Sequence, residues 1–154
     1  MLSKPGNGIL CAGVVAFLSC SNATVVPFWE IEDSNLPDIA MARADPNWGS
    51  AVVYNPEYCE QIGDACGFFR AHAHAHIKLN HTLLASPKLY PALQEAQADC
   101  FVGKYGKPHE IRGAVKFLLE VDAAVLGWEI YGDPVKRAEA IRKCAMEAGR
   151  WIGD

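Results

Sequence analysis

The sequence predicts an α+β fold, in which a mostly helical domain carries a small antiparallel sheet near its N-terminal end. Helix-start signals recur from residue 56 onward, whereas the best strand candidates lie before residue 55. The chain has 154 residues and contains no internal repeat or low-complexity tract. This length suits one hydrophobic core, so we expect residues 24–154 to form a single domain.

Two short segments are the candidate strands. Residues 39–42 are all apolar, and residues 51–54 contain Val52 and Val53, whose branched side chains favour extended backbone. The Asn55-Pro56 pair marks the end of the second segment, because the residue before a proline avoids the helical region.

Proline, aspartate and glycine residues mark the ends of the predicted helices. Pro56 suits a first helical position, Asp64 is a candidate N-cap, and Gly106 ends a later helix. The predicted helices span residues 57–62, 65–82, 89–105, 109–121 and 134–148. Residues 123–131 give no clear signal. The apolar residues expected to face the core are Phe68, Phe69, Ile77, Leu79, Ile111, Val115, Leu118 and Leu119.

Residues 1–23 have the pattern of a secretory signal peptide. Lys4 supplies a positive charge, residues 8–18 form an apolar run, and Ala23 precedes the expected cleavage site. The run is too short for a stable membrane span. A lipoprotein acylated at Cys20 is the less favoured alternative, because the residues before this cysteine fit that signal poorly. We therefore expect a secreted or periplasmic protein.

Four cysteines remain after removal of the signal peptide: Cys59, Cys66, Cys100 and Cys144. Four cysteines in an exported domain predict two disulfides, for which three pairings exist. The short separation of the first two favours Cys59–Cys66 with Cys100–Cys144. Zinc binding by these thiols is disfavoured because no C-x-x-C pair is present, and free thiols remain an alternative.

The charge argues against a nucleic-acid partner. The formal net charge is −4, and it becomes −5 when Lys4 is removed with the signal peptide. Such a chain has no basic footprint for phosphates.

Residues 71–76 read Ala-His-Ala-His-Ala-His within the second predicted helix. At about 100° per residue, His72 and His76 lie about 40° apart and face the same side. Two imidazoles at this spacing can bind one cation, as in the H-E-x-x-H zinc motif. His74 and His81 fall on the opposite side of a regular helix, and we expect structural or surface roles for them.

This histidine pair, followed by Glu95-Ala-Gln-Ala-Asp99-Cys-Phe, resembles the gluzincin zinc metallopeptidases, whose bacterial secreted members carry an E-x-x-A-D-x-F pattern. The resemblance covers about residues 50–148. It implies a zincin-like fold with zinc as cofactor and His72, His76 and Glu95 as its ligands. Asp99 would accept the other N–H of a ligand histidine, expected to be His72. Residues 51–54 would be the edge strand that binds extended substrate.

Ala73 stands where that family carries the glutamate that acts as general base. Loss of a general base costs about 10²–10⁴ in rate, so hydrolysis by this chain is expected to be slow although metal and substrate can still bind. We expect Ala73 to be native, although an engineered Glu→Ala change that traps a protease would give the same sequence. The resemblance therefore implies a zinc-binding, metallopeptidase-like protein of the cell envelope whose partners are peptides or proteins.

Two other functions use the same residues. The protein can be a catalytically inactive module that binds peptides or proteins, or a periplasmic metal-handling protein. The second would use the five histidines, which are His72, His74, His76, His81 and His109. His109, beside Pro108, is also a candidate hydrogen-bond donor to a transition state, although an ordinary place in the first helical turn is favoured.

Overall fold

A computed structural model describes residues 28–45, 49–81, 92–121 and 132–151. In these ranges the chain forms three strands followed by five helices. The strands are β1 (Phe28–Glu32), β2 (Ala40–Asp45) and β3 (Gly49–Tyr54); the helices are α1 (Pro56–Ile62), α2 (Ala65–Lys78), α3 (Ala92–Tyr105), α4 (Pro108–Glu120) and α5 (Pro134–Glu147). The described residues therefore form the mostly helical α+β domain that the sequence predicts. The proposed signal peptide, the expected helix start at residue 89 and the segment 123–131 lie outside the described residues.

The three strands form a mixed sheet in the order β1-β3-β2. β2 pairs antiparallel with β3, so that Ala42 lies opposite Val52, whereas β1 pairs parallel with β3 and places Glu30 opposite the same valine. The expected antiparallel arrangement holds only for β2 and β3. β1 and β2 run in opposite directions on either side of β3, so β3 is antiparallel to β2 and parallel to β1.

β3 is the central strand, so the prediction that residues 51–54 form an edge strand is wrong. Ala51, Val52 and Val53 are all buried. A strand covered on both faces carries such a continuous apolar run instead of an alternating pattern. In the described sheet the edges are β1 and β2. β1 has no counterpart among the predicted strands, although its apolar and acidic residues alternate.

The buried side chain of Asn55 joins the sheet to the first helix. Its Oδ1 accepts hydrogen bonds from the backbone N–H groups of Glu57 and Tyr58, which caps α1. Its Nδ2 donates to the carbonyl oxygens of Ser34 and Leu36 in the loop after β1. One side chain thus fixes the start of α1 and the course of the preceding loop.

A left-handed turn ends α2. Asn80 has a φ of 54°. The backbone N–H of His81 donates to the carbonyl of His76, and that of Asn80 donates to the carbonyl of Ile77. These two bonds form the Schellman motif, in which a glycine or asparagine in the left-handed conformation stops a helix. The chain therefore reverses at Asn80 and brings His81 back towards His76.

This turn corrects the predicted bounds of α2. The helix ends at Lys78 and not near Thr82, and Asp64 at its start makes no side-chain cap hydrogen bond. Leu79 follows the last helical residue and is 37% exposed, so its predicted place in the core is wrong.

The main core lies where α2 meets the three C-terminal helices. α2 contacts β2 and β3 as well as α3 and α4, and α5 packs on α3 and α4. A Cβ at Gly103 would lie 3.0 Å from the carbonyl oxygen of Ile141, so this glycine allows close approach of α3 and α5. The predicted core residues that are buried are Phe68, Phe69, Ile111, Val115 and Leu118. Ile77 is partly buried. Leu119 is 55% exposed because it lies beside the apolar stripe of α4.

A helix that could cross a bilayer needs a long apolar stretch, and none of the helices in the described residues has one.

Candidate metal centre

His72, His76 and Glu95 converge on one point between α2 and α3. His72 Nε2 lies 3.0 Å from His76 Nε2 and 3.0 Å from Glu95 Oε2, while His76 Nε2 lies 3.5 Å from Glu95 Oε1. One possible ligand atom from each residue lies within 4.8 Å of the others. The three residues are 7%, 3% and 4% exposed. The structure thus brings together the three residues that the gluzincin resemblance names as ligands.

Helical spacing explains this convergence. His72 and His76 are one turn apart on α2, and Glu95 and Asp99 are one turn apart on α3. Residues four apart lie on the same face of a helix. The packed faces of α2 and α3 therefore place two imidazoles against two carboxylates.

Asp99 contacts the His72 ring at Nδ1, the nitrogen that faces away from the converging atoms. Asp99 Oδ1 lies 2.8 Å from His72 Nδ1. An ionised carboxylate can only accept, so Nδ1 carries a proton. In the neutral ring, Nε2 then offers its lone pair to the space shared with His76 and Glu95. Carboxylates commonly orient metal-ligating histidines in this way.

Arg137 on α5 holds Asp99 in turn. Its Nε donates to Asp99 Oδ2 at 2.8 Å and its Nη2 donates to Asp99 Oδ1 at 2.9 Å. Both residues are buried, at 9% and 2% exposure. The sequence assigns no role to Arg137, because a single arginine on a predicted helix gives no sign of its partner on another element.

His81 contacts His76, the other histidine of the converging group. His81 Nδ1 lies 2.9 Å from His76 Nδ1, and His81 Nε2 lies 3.1 Å from Gln97 Oε1. The prediction that His81 lies on the opposite face is wrong, because it assumes a regular helix through residue 81. Asn80 is the sequence signal that could have located His81, since asparagine tolerates the left-handed position that ends a helix.

The buried charges raise one histidine pKa and lower the other. Burial disfavours a charge on His72, but the Asp99 and Glu95 carboxylates outweigh it and raise the pKa to about 9. Burial and the positive charge of His72 lower the pKa of His76 to about 4. At neutral pH without metal, His72 is therefore protonated and His76 is neutral. The converging atoms thus hold a proton where a metal ion would bind.

Both carboxylates stay ionised in this environment. Burial opposes ionisation of Asp99, but His72 and Arg137 outweigh it and lower the pKa to about 2. Burial also opposes ionisation of Glu95, and its hydrogen bond with His72 outweighs that effect and lowers the pKa. The group therefore presents a carboxylate and two imidazole nitrogens to one buried point.

This donor set fits a divalent cation. Two imidazole nitrogens and one carboxylate oxygen are typical ligands of zinc and of related transition metals. Without a cation, two Nε2 lone pairs 3.0 Å apart would repel each other. Either a proton or a metal ion between them removes that repulsion.

Ala73 lies beside these ligands and is 1% exposed. Its methyl group packs with Ala42 of β2 and Val52 of β3. On the helix it lies about 60° from His76 and about 100° from His72. The position that carries a carboxylate in the gluzincin pattern therefore carries a methyl group between the possible metal ligands and the sheet.

The remaining two histidines lie elsewhere. His74 is partly buried, and its pKa is lowered by burial and by Lys78. His109 is 54% exposed, and its Nε2 lies 4.0 Å from Glu110 Oε1. In the described part of the chain, the cluster of possible ligands includes neither histidine.

Both predicted disulfides are present. Cys59–Cys66 joins α1 to α2, and Cys100–Cys144 joins α3 to α5. The second bond begins at the residue after Asp99, so it fixes the same helix pair as the Asp99–Arg137 interaction. Two disulfides fit a protein of an oxidising compartment.

No family model, curated protein or solved structure matches this chain. The gluzincin resemblance therefore rests on the sequence pattern alone.

Proposed function

We propose that this protein binds one zinc ion through His72, His76 and Glu95 and is a metallopeptidase-like protein of the cell envelope with weak peptide hydrolysis. One observation carries the proposal. Three buried ligand atoms converge from two helices, and the second nitrogen of each histidine is occupied by a hydrogen-bond partner. Such an arrangement is characteristic of metal sites, because partners of this kind fix the ring orientation and the tautomer.

The choice of zinc follows from the ligand set. Zinc favours imidazole and carboxylate ligands, and three protein ligands are typical of sites that keep one position open. Bound there, zinc supplies Lewis acidity for the polarisation of a carbonyl group. His72, His76 and Glu95 would hold the ion, while Asp99 and Arg137 would keep His72 oriented.

Weak hydrolysis follows from Ala73. A methyl group cannot take a proton from a nucleophile or deliver one to a leaving amine. The expected loss is about 10²–10⁴ in rate relative to a site with a general base. A strand lies next to the site: β2 is an edge of the described sheet, and its Ala42 packs against Ala73. An extended peptide could pair with this edge, as extended peptides do in strand addition. This favours binding of peptides or proteins as the main activity.

A metal-handling protein is the second candidate. It would need most of its histidines near the metal, but His74 and His109 are not in the cluster of ligands. His81 contacts His76 through the nitrogen that does not face the cluster. A buffer should also release zinc readily to a weak chelator, whereas a buried three-ligand site should exchange it slowly. Zinc transfer to a weak chelator, followed over time, separates the two functions.

Metal analysis of the oxidised protein tests the proposal. After zinc supplementation and gel filtration, we expect one zinc per chain. His72→Ala and Glu95→Ala should each abolish stable binding, because each removes a ligand. His109→Ala is the matched control, since this exposed histidine lies outside the cluster. A stoichiometry near zero, or unchanged uptake by His72→Ala, would overturn the proposal.

A further inference from the structure

His81 and Gln97 form a chain of contacts that ends at His76. His76 Nδ1 lies 2.9 Å from His81 Nδ1, and His81 Nε2 lies 3.1 Å from Gln97 Oε1. His76 is 3% exposed and His81 is 9% exposed, so water does not readily replace these partners. This series of contacts begins at a side chain near the surface, because Gln97 lies on the exposed side of α3.

The donors and acceptors in this chain determine one another. A carbonyl oxygen only accepts, so Gln97 Oε1 requires the proton of His81 on Nε2. In neutral His81, Nδ1 is then an acceptor, and it requires the proton of His76 on Nδ1. This leaves His76 Nε2 with its lone pair, directed at His72 and Glu95.

The opposite arrangement would disable the site. If His81 donated through Nδ1, His76 would carry its proton on Nε2. That N–H would point at His72 Nε2, which lies 3.0 Å away, and could not bind a metal ion. The tautomer of His81 therefore determines whether His76 is in the tautomer that can bind a metal ion.

We infer that His81 and Gln97 are positioning residues that select the metal-binding tautomer of His76. This inference rests on the proposed metal site. His81 and Gln97 would fix the ring orientation and tautomer of His76, as Asp99 and Arg137 do for His72, but they are neutral groups. The two ligand histidines are thus oriented from opposite sides, one by a buried ion pair and the other by an imidazole and an amide.

Zinc affinity of the oxidised protein, measured by competition with a chelator, tests the inference. Loss of a group that orients a metal ligand typically costs about 10–100-fold in affinity, and we expect this loss for His81→Ala. His81→Asn should recover most of it, because Asn Oδ1 can accept where His81 Nδ1 does. His109→Ala is the control and should bind as the wild type does.

Gln97 offers a second variant that leaves the core intact. Gln97→Lys places a group that only donates beside His81 Nε2, which favours the tautomer of His76 that does not bind metal. A lysine also repels a cation, so Ala96→Lys, at the exposed neighbouring residue, controls for charge. We expect Gln97→Lys to lose at least about tenfold more zinc affinity than Ala96→Lys.

Nitrogen-15 NMR of the wild-type protein provides a readout that needs no variant. The imidazole signals should show the proton of zinc-bound His76 on Nδ1 and that of His81 on Nε2. The inference would be overturned if His81→Ala bound zinc with the same affinity as the wild type. It would also be overturned if the His81 ring carried its proton on Nδ1. A wild-type protein that binds no zinc would instead overturn the proposed function.

Discussion

Arg137 donates two hydrogen bonds to Asp99, and Asp99 accepts one from His72, so a residue of α5 controls the orientation of a possible metal ligand on α2. The connection passes through three helices. It relies on a buried ion pair, in which the removal of one partner leaves the other charge unpaired. The site therefore depends on how α5 packs against α3.

Arg137→Met should weaken both the fold and metal binding. It leaves the buried Asp99 carboxylate with His72 as its remaining positively charged partner among the described residues. Removal of one partner of a buried ion pair typically costs about 3–5 kcal/mol of unfolding free energy. Zinc affinity should fall by about 10–100-fold, because His72 loses its fixed orientation. Denaturant unfolding and chelator competition measure the two effects. Lys143→Met, which removes an exposed charge from the same helix, should change neither. Equal effects of the two variants would contradict the role assigned to Arg137.

Zinc binding should release a proton at neutral pH. In the metal-free protein His72 has a pKa of about 9 and His76 a pKa of about 4, so one proton must leave before zinc can bind. The association constant should rise about tenfold per pH unit between these two values and level off above the higher one. Below the lower value the dependence should steepen, because His76 is protonated as well. Calorimetry at pH 7 in buffers of different ionisation enthalpy measures the released protons. A release near zero would show that His72 is neutral in the metal-free protein.

The two disulfides should differ in their effect on stability. Cys100–Cys144 spans 44 residues and Cys59–Cys66 spans 7, and a longer loop gives the unfolded chain more entropy to lose. Loop-closure entropy predicts a loss of about 4 kcal/mol for the double variant Cys100→Ala, Cys144→Ala. The corresponding loss for Cys59→Ala, Cys66→Ala is about 2 kcal/mol. Denaturant unfolding of both double variants gives the comparison, and a larger loss for the shorter loop would contradict it.

Ala73→Glu should increase hydrolysis of an unstructured protein substrate. The new carboxylate would lie beside the metal ligands and could serve as a general base, so we expect a gain of at least about tenfold with zinc bound. The variant should also lose stability, because Ala73 is 1% exposed and packs against the sheet. Activity assays and unfolding curves test both parts.

Two variants show whether such a gain comes from general-base catalysis at the metal. Ala73→Gln has a similar shape without the carboxylate and should give no gain. Adding Glu95→Ala to Ala73→Glu should remove the gain together with the metal ligand. If the unmodified protein already cleaves the substrate with zinc dependence, another residue supplies the base.

Local patterns in the sequence determined much of the helical part of this protein. The spacing of His72 and His76 places them on one face whatever surrounds the helix, because four residues make about one turn. Asn55 and Asp133 cap α1 and α5 through bonds to nearby backbone groups, so short-range chemistry is enough to locate these helix starts. The disulfide pairing could also be inferred from the sequence.

Only the tertiary structure decided the contacts between elements that are distant in the chain. The parallel pairing of β1 with β3 depends on how the antiparallel β2–β3 pair packs beside β1, which no local pattern encodes. The link from Arg137 to Asp99 depends on the packing of α5 against α3. His81 reaches His76 because the chain reverses at Asn80, and a helical wheel that continues past this residue places the ring on the wrong side. The sequence alone names the possible ligand residues, but the groups that orient them are known only once the helices are packed.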